Sequence, residues 1–189
     1  IARAGSVAAC MGRPRFADAD LARLAAERGV ATALLEAWRR HGDDLPEKLG
    51  GSFAIALYDP ASTRALLALD RMGIERLAFG VRGGVLAFGT SVQAVAAFDG
   101  VREIDAQAIY DFLYFHTVPA PRSIYRGIEK LLPGERLLWD GQRARRDFYW
   151  HADYTPRPAP FAEQKRDFRA RLDDAVRTLD TPATAAFLS

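Results

Sequence analysis

A chain of 189 residues, 49% hydrophobic and 26% charged, suits one globular domain with the edge of a second, and is long enough to bury a core. Its 26 basic and 24 acidic side chains nearly cancel, so nothing points to nucleic acid or another polyanion as a partner. The single cysteine, Cys10, excludes an intrachain disulfide; no Cys/His cluster offers a metal site, and no apolar run nears the roughly 18 residues that span a bilayer. With no signal-peptide pattern at the N-terminus either, the expected setting is a reducing cytoplasm and no membrane partner is expected. Arginine far outnumbers lysine, as in proteins from GC-rich bacterial genomes.

In chain order, Gly5 to Cys10 predicts a short strand of small residues, ended by the turn formers Gly12 and Pro14. Asp18-Ala19-Asp20 can cap a helix that stops at Gly29, and a second helix, Ala31 to His41, turns Leu34, Leu35 and Trp38 to one face and closes at Gly42. SFAIALYDP (Ser52–Pro60), RALLALDR (Arg64–Arg71), RLAFGV (Arg76–Val81) and VLAFGT (Val85–Thr90) read as four strands. Their short connections, among them Met72-Gly73 and Gly83-Gly84, predict one antiparallel meander. Helices are expected over Val92–Phe98 and Asp105–Leu113, the second capped by Asp105. The proline-punctuated run from Val118 leads to a hairpin turning at Asp140-Gly141. Three prolines between Thr155 and Phe161 make a stiff linker. Phe161 to Leu179 then reads as an amphipathic helix with Phe168, Leu172, Ala175, Val176 and Leu179 inward, and TPATAAFLS (Thr181–Ser189) as the start of a buried strand. A first domain over residues 1–154 and the beginning of a second over 155–189 are expected.

The residues by themselves support little catalysis. His41, His116 and His151 are scattered and have no partner at triad spacing, so structural or surface roles are expected. Cys10, in a run of small residues, reads as an inert, buried thiol. Asp70-Arg71-Met72-Gly73 is either an ion pair beside a tight turn or part of a site. VPAPR (Val118–Arg122) is a rigid strap of the sort that packs one domain on another. Arg143-Ala144-Arg145-Arg146 reads as a solvated hairpin edge.

LGGSFAIALYD (Leu49–Asp59), LALDRMGIERLAF (Leu67–Phe79), LAFGTSVQAV (Leu86–Val95), YDFLYFHTVPAPRSIYRGIEKLLPGERL (Tyr110–Leu137) and FYW (Phe148–Trp150), in this order and spacing, resemble the glutaminase half of the asparagine synthetase family. Each motif is weak alone; together they are specific, over roughly Leu21 to the end. The resemblance implies an α+β fold, the four-layer αββα sandwich of the N-terminal-nucleophile hydrolases with antiparallel sheets, followed by the first helix and strand of an α/β ATP-pyrophosphatase (synthetase) domain. It implies a class II glutamine amidotransferase in which an N-terminal cysteine releases ammonia from glutamine. A second domain, with ATP and Mg, would activate a carboxylate such as aspartate as an acyl-adenylate. Leu188 and Ser189 match the strand end and first serine of the family's SGGxDS nucleotide loop. No cofactor is expected in residues 1–189 themselves, and a homodimer is left open.

The departures bear on activity. The resemblance places the nucleophile and a glutamine-binding arginine segment upstream of Ile1, and Cys10 is no substitute for the former. The family's Asn-Gly-Glu aligns with Met11-Gly12-Arg13, so the glycine alone persists. Its Asp-Thr-Glu aligns with Val30-Ala31-Thr32 after a shortened loop, setting Val30 where an aspartate would hold the glutamine α-amino group. Methionine lacks an amide's paired donor and acceptor, and valine cannot neutralise an ammonium. With one lost polar contact costing ~1–3 kcal/mol, Met11, Gly12, Arg13 and Val30 form a degenerate glutamine site. Three readings follow: an asparagine-synthetase-type ligase using glutamine or free ammonia; a vestigial scaffold of an amide-forming cyclase resembling lasso-peptide cyclases or β-lactam synthetases; or a non-catalytic binding module.

Overall fold

A computed structural model describes residues 2–3, 5–156 and 158–179 of the chain. The chain divides into two units, Ile1–His151 and Ala152–Ser189. In the first unit the elements run β1 (Ala2–Arg3), β2 (Ser6–Phe16), α1 (Ala19–Arg28), α2 (Val30–His41), a 3-10 turn (Gly42–Lys48), β3 (Leu49–Asp59), β4 (Arg64–Leu69), β5 (Ala78–Arg82), β6 (Val85–Gly89), α3 (Val92–Asp99), α4 (Ala106–Phe115), β7 (Ile128–Lys130), β8 (Glu135–Trp139) and β9 (Ala144–Phe148). Among the described residues all strand pairs are antiparallel, in a six-stranded sheet β1-β2-β3-β4-β8-β9 and a three-stranded sheet β6-β5-β7.

Strand alternation builds the layers. Phe53, Ile55 and Leu57 of β3, with Leu66 and Ala68 of β4, face Leu21 of α1 and Leu34, Leu35 and Ala37 of α2 in one core. Their neighbours Ala54, Ala56, Ala65, Leu67 and Leu69 face Leu77, Phe79 and Leu131 in a second core between the sheets. Beyond the small sheet, Ala78, Ala87 and Ile128 bury Val95 and Ala96 of α3 in a third. Helix, sheet, sheet and helix are thus stacked in the αββα order that the resemblance implied. Because both faces of β3 and β4 are covered, LGGSFAIALYD and RALLAL carry nearly continuous apolar residues.

Local chemistry sets the ends of these elements. The Asp18 carboxylate accepts from the amides of Asp20 and Leu21 at the start of α1, and Asp105 accepts from that of Gln107 at the start of α4. Gly29 and Gly42 close α1 and α2. Asp140 accepts from the amides of Gln142 and Arg143, which turns the β8–β9 hairpin.

Three expectations are corrected. β2 does not stop at Cys10: it runs on through Gly12 and Pro14 to Phe16, paired with β3 down to Phe16↔Leu49. Among the described residues its outer edge meets β1 at Ser6 and Val7 alone, and a proline is tolerated on such an edge. Nor do four strands form one meander, since β3–β4 and β5–β6 belong to different sheets. The edge of β4 that RLAFGV would have taken is held by β8, in the register Leu67↔Leu137. Met72-Gly73 is a crossover between sheets rather than a hairpin turn, and its shape is set by Asp70. The Asp70 carboxylate accepts from the amides of Met72 at 3.0 Å, Ile74 at 3.1 Å and Glu75 at 3.0 Å, and from the Phe53 amide at 3.4 Å. It is therefore an organiser of backbone, not the partner of Arg71.

The basic hairpin edge is the third correction. Arg143 and Arg145 are exposed, but Arg146 reaches the buried Glu135 through two bonds of 2.8 and 3.0 Å, also pairs with Glu129, and lies over the Phe79 ring. The strap from Val118 ties elements within the first unit. Arg122 pairs with Asp105, which caps α4, and with Asp111 inside the helix, and the Lys130 amide donates to the Pro121 carbonyl at 2.7 Å.

The second unit contributes α5 (Phe161–Leu179). Phe168, Leu172, Ala175 and Val176, expected to face inward, are exposed, because the described residues of this unit include no second element for the stripe to pack on. The side chain of Leu179 and the TPATAAFLS strand, with Leu188 and Ser189, lie outside the described residues. Among the described residues no helix is long and apolar enough to cross a membrane, and no group of three or more His, Cys, Asp or Glu could hold a metal.

Candidate functional site

Met11, Gly12 and Arg13 are consecutive in β2, opposite Ala54, Phe53 and Ser52 of β3. Met11 is 48% exposed, and its cross-strand partner Ala54 belongs to the core between the sheets. Arg13 is exposed, and its amide donates to the Ser52 hydroxyl at 3.4 Å. Val30 opens α2 and packs against the helix-side core together with Cys10. Cys10 and Met11 point to opposite faces of the strand, so Val30 and Met11 lie on opposite sides of the sheet. Three of the four positions are brought together in β2, and Val30 stands apart from them.

Gly12 has a φ of +88°, and a Cβ built on it would lie 2.5 Å from the Ser52 carbonyl oxygen and 2.7 Å from Glu75 Oε1. Backbone geometry alone therefore requires glycine here. The persistence of this glycine is explained by the fold, whatever ligand the strand meets. Gly12→Ala is expected to cost about 1–3 kcal/mol for the strained backbone, plus the clash with Ser52, and urea unfolding of the purified chain would measure it.

Glu75 is the residue that sequence reasoning passed over. Asp70 fixes the crossover so that the Glu75 carboxylate comes against Gly12 on one side, and Glu75 lines a cavity on the other. Burial, with the Glu75 charge second, pushes the Cys10 thiol up to about 11. The thiolate is the nucleophile, so a half-buried thiol held protonated near neutral pH is unreactive, as the sequence suggested. The signal available beforehand was DRMG: an Asp followed by a Gly-containing turn is a pattern in which the carboxylate gathers nearby amides.

The cavity, of about 740 Å³, lies between the crossover, the start of α3, the end of α4 and the strap. Arg76, Lys130, Gln93 and Thr90 supply its polar wall, and Phe112, Val118, Pro119 and Leu131 its apolar wall. Lys130 donates to the Val118 carbonyl, which places its ammonium at the edge of the strap. Burial, followed by the nearby Arg76 charge, lowers its pKa from the ordinary lysine value. Of the histidines, His116 lines this cavity at the end of α4, His41 ends α2, and His151 packs on the Phe148 ring. Among the described residues none of them has a nucleophile partner.

Comparison with known proteins places this geometry in a family. The chain matches the glutamine amidotransferase domain over residues 26–150. It is 24% identical over 147 residues to asparagine synthetase (glutamine-hydrolysing) 3 of Bacillus subtilis, covering 76% of this chain and 24% of that protein. It is also 26% identical over 145 residues to amidase chyE of Penicillium rubens, covering 74% of this chain and 21% of that one. Among solved structures, the glutamine phosphoribosylpyrophosphate amidotransferase of Bacillus subtilis aligns at 14% identity and a TM-score of 0.49, over 80% of this chain and 31% of its own. The chain spans about a quarter of the length of these two curated relatives. With more than half of its residues matched by one family model, the chain belongs to the glutamine amidotransferase domain family.

Proposed function

We propose that this chain is the amidotransferase part of an asparagine-synthetase-like, ATP-dependent amide ligase, and that its glutamine pocket is degenerate. The family match and the names of its relatives support the architecture. The observation that carries the degenerate pocket is Met11, half exposed in β2 beside Gly12: where the resemblance calls for an amide that donates and accepts, a thioether offers only a weak acceptor. Val30, packed on the helix-side core across the sheet from Met11, brings no counter-charge for a glutamine ammonium. Nitrogen would then come from ammonia in solution, or from glutamine at low efficiency, and the acceptor would be a carboxylate such as aspartate. ATP and Mg would act in the synthetase part, whose matching positions Leu188 and Ser189 lie outside the described residues.

Exchange of label between pyrophosphate and ATP by the complete protein tests the ligase assignment against a non-catalytic binding module. Exchange stimulated by aspartate or another carboxylate is expected; none with any carboxylate supplied would contradict the ligase.

A further inference from the structure

We propose that the cavity between the strap and the start of α3 is a binding site for a small carboxylate with an apolar body. Two cations line one recess: Arg76, whose guanidinium has no carboxylate partner among the described residues, and Lys130, held at the wall by the Val118 carbonyl. Glu75 is the one acid among the described lining residues, and its carboxylate is turned to Gly12, so the recess they form carries a net positive charge. Two facing cations, one of them partly desolvated, repel each other, and an anion between them relieves both the repulsion and the desolvation.

The rest of the wall selects the kind of anion. Ser91 and Ser123 are engaged locally, Ser91 with the Ala94 amide and Gln93, Ser123 with Tyr125. Thr90, Thr117, His116 and the Gln93 amide nitrogen also line the recess and can donate, so the number of donors does not by itself choose between a carboxylate and a phosphate. Phe112, Val118, Pro119 and Leu131 instead offer apolar surface beside the charges. Arg76 supplies a planar fork suited to a carboxylate and Lys130 a point charge. A volume of about 740 Å³ is ample for a ligand the size of benzoate. The recess is separate from Met11, Gly12 and Arg13 of β2, so occupancy here neither requires nor predicts glutamine hydrolysis.

Calorimetric titration of the chain with benzoate, its neutral counterpart benzamide and inorganic phosphate tests the proposal. Benzoate is expected to bind at least ~10-fold more tightly than benzamide, and Arg76→Gln and Arg76→Glu to weaken it ~10-fold or more. Arg76 is exposed, so these variants are expected to fold as the parent does. Lys130→Gln should weaken benzoate similarly, and on binding the titration midpoint of Lys130, followed by NMR, should rise. Equal affinity for benzoate and benzamide, indifference to both Arg76 variants, or no binding of benzoate at millimolar concentration would overturn the site. Phosphate binding as tightly as benzoate would overturn the apolar-carboxylate assignment.

Discussion

Asp70→Ala is expected to destabilise the first unit by about 3–4 kcal/mol, because three amides within 3.1 Å of one carboxylate lose their acceptor together. Asp70 is 1% exposed, so water cannot simply replace the lost oxygens on the Phe53 and Glu75 side, although the exposed Met72 and Ile74 can recover part of their hydration. A loss of that size corresponds to a fall of about 10 °C in the unfolding midpoint for a protein of this length. Asp70→Asn retains one oxygen, enough for either the Met72–Ile74 pair or Glu75, and turns an NH₂ toward the other; about half of the loss is expected. Calorimetric or urea unfolding of the parent and both variants checks the order. Asp70→Ala unfolding within 1 kcal/mol of the parent would show that the crossover is held by something else. The consequence extends to the site, since this turn also sets Glu75 against Gly12.

The second large effect is expected at Arg146. The Glu135 side chain is 5% exposed and accepts two bonds from Arg146 and one from the Leu132 amide. Arg146→Met would leave the carboxylate buried with a single donor, at a cost of about 3–5 kcal/mol. The Arg146–Phe79 contact, 5.2 Å from guanidinium to ring centre, adds to what is lost. The double variant Arg146→Met/Glu135→Leu removes both charges, and its stability is expected within about 1–2 kcal/mol of the parent, since a buried pair often does no better than apolar residues of similar shape. Urea unfolding of the singles and the double separates the two cases. A double variant as unstable as Arg146→Met would mean that the packing of these side chains, not the orphaned charge, dominates.

Much of the fold could be read in the sequence where the determinants are local. Asp18 and Asp105 cap their helices with their own side chains, Gly29 and Gly42 stop α1 and α2, and Asp140-Gly141 turns a hairpin between adjacent strands. Features set by distant partners were not legible. Gly12 and Pro14 look like a strand end until β3 is seen beside them, and Met72-Gly73 looks like a hairpin turn until β8 is found on the edge of β4. Arg146 reads as solvated because Glu135, eleven residues away, is buried only once β8 and β9 pair. At the site, Met11, Gly12 and Arg13 were found by resemblance, whereas Glu75 needed the Asp70 turn to bring it to Gly12. The separation of Val30 from Met11 depends on which face of the sheet each meets, and a shortened loop before α2 hides that in one dimension.

The proposal that the glutamine pocket is degenerate rests on Met11 in β2, whose thioether cannot do what the resemblance asks of its position. Glutamate released from glutamine by the complete protein tests it most directly, with ATP and a carboxylate acceptor present so that any coupled activity is counted. Release close to that of a protein-free control, alongside amide formation from ammonium, is the expected result. Rapid release of glutamate at ordinary glutamine concentrations would contradict it.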